Sequence, residues 1–188
     1  MKSIAKVLIA MLLMMTLTVP AASAAPSKDE QREHIRDITQ VTMDKLYSLQ
    51  PEARSHVEKA AGYAAFGNWG VKIMVFGSAQ GKGMAVNNVT KKETFMNMIE
   101  KSAGLGIGAT TYNVVFVFAT EDALNDFTNN GWQFGGEVKA EATDSVTGES
   151  YQGATTVSPG VWMYYLSDKG ISLSVTAKGA KFYKNDLN

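Results

Sequence analysis

Residues 104–118, reading GLGIGATTYNVVFVF, place the strongest constraint on what this chain can fold into. Glycine alternates with Leu105 and Ile107, and the segment then runs into the unbroken apolar stretch 114–118. Alternation at period two is a strand signature, and a short run rich in Val and Phe that is apolar on both sides predicts a strand covered on both faces. The segment therefore reads as the central strand of a sheet. Gly104, Gly106 and Gly108 fall together on one face without side chains. Glycine weakens a strand interior, so three in alternation imply a close backbone approach, a bend, or room left for something else.

The N-terminus reads as an export signal. Lys2 and Lys6 form a short positive region, residues 7–19 are an apolar core too short for a comfortable membrane span, and Ala22-Ser23-Ala24 fits an A-x-A cleavage site. Cleavage after Ala24 is expected to give a periplasmic or secreted protein, with retention of the signal as an anchor the alternative. It removes two of 18 basic residues and none of 18 acidic ones, leaving a net charge of −2. That balance does not point to nucleic acid. Cysteine is absent, so there is no disulfide framework, no thiolate metal site and no cysteine at the cleavage point to carry a lipid.

Beyond the signal, the chain reads as one domain in two parts. Residues 25–60 form a helical segment expected to pack on the remainder. Residues 27–50 place Ile35, Ile38, Thr42, Leu46 and Leu49 on one stripe, with Ser27 as N-cap and Asp29 and Glu30 in the first turn. Pro51 breaks this helix and starts a second over 51–60, with Ala53, Val57 and Ala60 inward. Residues 61–188 change to strands and turns: 71–76, 84–89 after a glycine-rich turn at 77–83, 94–99, 104–118, 132–141, 151–157, 161–166 and 171–183. Thr120 caps a short inserted helix over 121–127, and Asn129-Asn130-Gly131 ends it. The predicted fold class is α+β: a mainly antiparallel β-sheet or partly closed barrel, with N-terminal helices and one short inserted helix.

Few residues suggest catalysis. His34 and His56 lie 22 residues apart on the N-terminal helices, which does not fit a zinc site or a Ser-His-Asp triad; both read as partly exposed helix residues. Glu137 and Glu141 fall on the wet face of a strand, so a paired-carboxylate site has no special support. The glycines at 104, 106 and 108 are followed by a strand where a dinucleotide loop requires a helix. Asn88-Val89-Thr90 matches a glycosylation sequon, to which no function is assigned. No cofactor or metal is indicated.

Charge is unevenly distributed. Residues 61–120 carry Lys72, Lys82, Lys91, Lys92 and Lys101 against Glu93 and Glu100, whereas residues 121–150 carry seven acids and one lysine. Lysines return in the tail, Lys178 and Lys181 among them. If the basic segments share a surface, one face suits anionic partners; otherwise they are ordinary solvated lysines.

Several stretches together resemble the SYLF domain. They are Ala60-Ala61-Gly62-Tyr63-Ala64-Ala65-Phe66; Gly104 to Ala109 leading into 114–118; Ala123-Leu124 with Phe127; Gly131-Trp132; and the closing segments 164–173 and 177–182. The resemblance runs from Leu46 to Tyr183 and departs at Phe66-Gly67-Asn68-Trp69-Gly70, where a proline-containing turn is expected. It implies a non-enzymatic lipid-binding module, since SYLF domains bind lipids and some eukaryotic members bind actin. The expected partner is anionic phospholipid or a membrane surface, met by Lys72, Lys82, Lys91, Lys92, Lys101, Lys178 and Lys181. The alternative is a structural or protein-interaction factor of the bacterial envelope, holding a protein partner through a sheet edge or the acidic 121–150 region.

Overall fold

The computed structural model describes residues 25–67, 78–101, 112–133, 151–167, 170–172 and 180–188. Its first element is helix α1, Lys28–Leu49. The Ser27 hydroxyl accepts from the Glu30 N–H at 3.2 Å, and the Glu30 carboxylate accepts from the Ser27 N–H at 2.6 Å. This capping box satisfies backbone donors that the first turn leaves open. Ile35, Ile38, Thr39, Thr42, Met43 and Leu46 are buried along the predicted stripe. Leu49, the last residue of the helix, departs from it at 40% exposure. Helix α2, Ala53–Lys59, buries Ala53, His56 and Val57.

The strands are β1 Gly62–Gly67, β2 Ser78–Asn87, β3 Glu93–Lys101, β4 Tyr112–Phe118, β5 Trp132–Gln133, β6 Thr155–Ser158, β7 Val161–Ser167, β8 Gly170–Ser172 and β9 Ala180–Lys184. They pair antiparallel in one sheet ordered β5-β9-β3-β2-β1-β4-β7-β6, with β8 on β7. The sheet curls strongly into a half-barrel. Helix α3, Glu121–Asn130, lies between β4 and β5, capped by Thr120 and closed by Gly131 at φ 69°. A β-carbon at Gly131 would collide with the Phe182 carbonyl oxygen, so this stop needs glycine both for its dihedral and for its space.

Alternation sorts the sheet into two buried faces. One carries Phe66, Phe116, Phe118, Met96 and Phe182, and α3 closes it with Leu124 and Phe127. Ring centroids of Phe66 and Phe182 lie 4.8 Å apart and those of Phe116 and Phe182 5.0 Å apart, edge to face. The other face carries Ala65, Val115, Val117, Tyr164 and Leu166 under Met43 and Leu46 of α1 and Val57 of α2, with Ile35 packing beside Met84 and Phe95. Strand β4 is thus covered on both sides, as its apolar run predicts. It is an interior strand paired with β1 and β7, while β1 and β2 occupy the middle of the order.

The glycine-rich stretch before Met84 is strand from Ser78 rather than turn. Gly83 pairs with Phe66, and a β-carbon there would strike the Ala65 carbonyl oxygen and lie 2.6 Å from Phe66 Cδ1. Glycine here admits the Phe66 ring against the backbone, a close approach that composition alone reads as a turn. The expected strand over 171–183 is strand at both described ends, β8 on β7 and β9 on β3. Gly104, Gly106 and Gly108, the expected strand at 71–76 and the carboxylates at 137–149 lie outside the described residues.

Candidate functional site

Helix α1 lies along one face of the sheet with a cleft on either stretch of its border with β3. The first, about 710 Å³, is lined by Arg32 and Arg36 from α1, Lys91 and Lys92 from the β2–β3 turn, and Glu93 and Phe95 from β3. Its arginines are already engaged. Two guanidinium nitrogens of Arg36 reach Glu93 Oε2 at 2.9 and 3.0 Å, and a third reaches Glu33 at 3.0 Å. These bonds hold the Arg36 guanidinium above its ordinary pKa, Glu93 contributing most. Arg32 is taken by Asp29 at 2.7 Å and by the Leu187 carbonyl at 2.8 Å. Lys91 and Lys92 are exposed and have no ion pair among the described residues, so they are the cleft's available cations.

The second cleft, about 400 Å³, is lined by His34 and Ile38 of α1, Lys82 of β2, Asn97 and Ile99 of β3, and Tyr183 of β9. Register places Lys82 opposite Asn97, Asn97 opposite Tyr183 and Ile99 opposite Lys181, all on one face of the sheet. The Lys181 ammonium lies 5.9 Å from the Tyr183 ring centroid, which brings it to the margin of the same cleft. Four of the seven candidate lysines, Lys82, Lys91, Lys92 and Lys181, thus lie on the α1 side of the sheet. Lys101 ends β3, with its side chain outside the description, and Lys72 and Lys178 lie outside the described residues. Helix α3, with Glu121, Asp122 and Asp126, covers the opposite face. The α1 side is itself mixed in charge, since Asp29, Glu33 and Glu93 line the first cleft beside its four cations, and its available positive charge is that of the exposed lysines.

Residues 100–187 match the family model described as Las17-binding protein actin regulator (Ysc84), the model of the SYLF domain. Over residues 100–187 the chain is similar to the SYLF domain. Beta cell expansion factor A of Aeromonas veronii, a SYLF-family protein, is 30% identical over 154 residues, which take in 82% of this chain and 57% of that protein. The chain therefore spans little more than half the length of this relative. The family supports a binding or regulatory domain, of lipid or of protein, in general terms.

Sequence reasoning missed two features of this chain. His56 is buried at 5% exposure, not partly exposed. Its ring stacks on Tyr151 with centroids 3.2 Å apart, meets Trp162 edge-on at 5.0 Å, and places Nδ1 3.0 Å from the Tyr164 hydroxyl. Burial pulls its pKa down to about 4. Because the cluster joins α2 to β7 and to Tyr151, more than 90 residues away in sequence, nothing local to His56 signals it. The other feature is the sequon. Asn88 Nδ2 donates to the carbonyls of Val57 at 2.7 Å and Ala60 at 2.9 Å, so its amide is committed to the end of α2. Among the described residues no three His, Asp or Glu side chains gather as a metal site, and no helix is long and apolar enough to cross a membrane.

Proposed function

We propose that this protein is an exported, non-enzymatic module that binds anionic phospholipid surfaces through the α1 side of its sheet. The observation that carries this reading is the pair of exposed lysines, Lys91 and Lys92, at a cleft whose arginines are already neutralised by carboxylates. Lys82 and Lys181 extend the same basic side. A lysine near an anionic membrane surface contributes about 1 kcal/mol, so four together give salt-sensitive association without a deep ligand pocket. The signal at 1–24 would deliver the protein to the periplasm or the exterior. Phosphoinositides and actin are not needed there; any bilayer or outer leaflet carrying anionic headgroups supplies the chemistry.

Co-sedimentation of the protein lacking residues 1–24 with vesicles tests this directly. Binding to phosphatidylglycerol-containing vesicles, weak binding to phosphatidylcholine alone, and release by salt are expected; equal binding to both, indifferent to salt, overturns the reading. The protein-partner alternative draws on the family description, which names binding to a protein. Partners recovered from envelope extract after detergent has removed lipid would favour it.

A further inference from the structure

Val89 is 83% exposed, the most exposed large apolar side chain among the described residues. It stands at the tip of the β2–β3 turn, on a backbone held in place from several sides. Asn87 Oδ1 accepts from the Val89 N–H at 2.9 Å and the Thr90 N–H at 2.8 Å, and the Asn87 carbonyl accepts from the Lys91 N–H at 2.9 Å. The Asn88 N–H donates to the Ala61 carbonyl at 2.9 Å, and its amide fastens the turn to the end of α2. Lys91 adopts φ 59°, an uncommon dihedral for a residue with a side chain. The turn is thus a pre-shaped projection rather than a loose loop, and little ordering entropy opposes its use in binding.

The charges around Val89 identify its partner. Lys91 and Lys92 are exposed beside it, no acid occurs from Asn88 to Lys92, Glu93 is engaged by Arg36, and the Glu121 carboxylate accepts from the Asn87 amide at 3.3 Å at the base of the turn. An apolar tip flanked by two lysines without ion pairs among the described residues matches a surface with an apolar interior beneath an anionic rim. A protein groove offers either feature, but a bilayer presents both in this order everywhere on its surface.

We propose that the turn at 88–92 is a membrane-insertion tip: Val89 enters the headgroup–acyl boundary of an anionic bilayer while Lys91 and Lys92 donate hydrogen bonds to lipid phosphates at its edge. This rests on the membrane-binding reading above and adds a depth and an orientation to it. The long stems of the two lysines let their ammonium groups stay at phosphate level while the tip lies deeper.

The absence of cysteine from the sequence makes the test clean. Val89→Cys and, at the far end of α3, Asn129→Cys each take one environment-sensitive fluorophore, and each is mixed with vesicles of phosphatidylglycerol and phosphatidylcholine. Emission at position 89 is expected to rise several-fold and to be quenched by spin labels on the acyl chains, while position 129 stays unchanged. Val89→Asp, on an exposed turn and with unchanged circular dichroism, is expected to bind these vesicles at least tenfold more weakly. If the protein sediments with anionic vesicles while the probe at 89 remains in water and Val89→Asp binds normally, the tip is overturned and the membrane reading survives. If no vesicle captures the protein, both fall.

Discussion

At His56 a single buried ring links stability to pH. The neutral imidazole suits its aromatic surroundings, and burial lowers its pKa from 6.5 to about 4. Tyr151, Trp162 and Tyr164, the groups packed against it, bring no charge to stabilise an imidazolium. The unfolded chain takes up this proton near pH 6.5 and the folded one only near pH 4. The contribution of His56 to stability is therefore complete above pH 6.5, declines as pH falls from 6.5 to 4, and changes no further below that. Over that window it amounts to about 3 kcal/mol. Urea denaturation of the wild type and of His56→Phe at pH 7, 5 and 4 should show the stability gap moving in the variant's favour by that amount on acidification. Carboxylates such as Asp126, whose pKa is lowered chiefly by Asn130, titrate alike in both proteins and cancel in the comparison. A gap that stays constant with pH would show that His56 protonates as easily folded as unfolded.

Among the elements, those defined by local chemistry were the legible ones. Ser27 and Thr120 mark the starts of α1 and α3 because a hydroxyl at an N-cap satisfies backbone donors within its own turn, and Gly131 marks a stop because its dihedral is positive. Strand β4 was legible because both of its faces are apolar. The glycines of β2 were not: Gly83 is set by the Phe66 ring and Gly81 by Met98 and the Gly67 carbonyl, all of them on neighbouring strands. The lysines were legible as candidates, but their convergence depends on the register of β2, β3 and β9 with α1 above them. Ser27→Ala removes the hydroxyl that accepts from the Glu30 N–H, while the backbone N–H at 27 can still donate to the Glu30 carboxylate, and it is expected to cost about 1 kcal/mol, read as a lower urea midpoint with an unchanged slope. Phe116→Ala opens the aromatic face between β4 and α3, where Phe116 is fully buried, and is expected to cost about 3–5 kcal/mol. A cost near that of Ser27→Ala would mean that α3 collapses to refill the space.

For the whole molecule, the sheet acts as a partition. Its α3 face is closed by aromatic rings and acids, while the α1 face gathers Lys82, Lys91, Lys92 and Lys181 around two clefts. The match to the SYLF domain covers 100–187, and Beta cell expansion factor A, sharing 30% identity, extends well beyond the aligned part. The central claim is that the α1 side is the membrane-facing side, and it is tested most directly by neutralising that side alone. The variant Lys82→Gln, Lys91→Gln, Lys92→Gln and Lys181→Gln removes four exposed charges and leaves the described ion pairs intact. At about 1 kcal/mol for each lysine, its partition onto phosphatidylglycerol-containing vesicles at low salt should fall by about 10²–10³-fold, with its denaturation midpoint unchanged. Partition equal to that of the wild type would contradict the account.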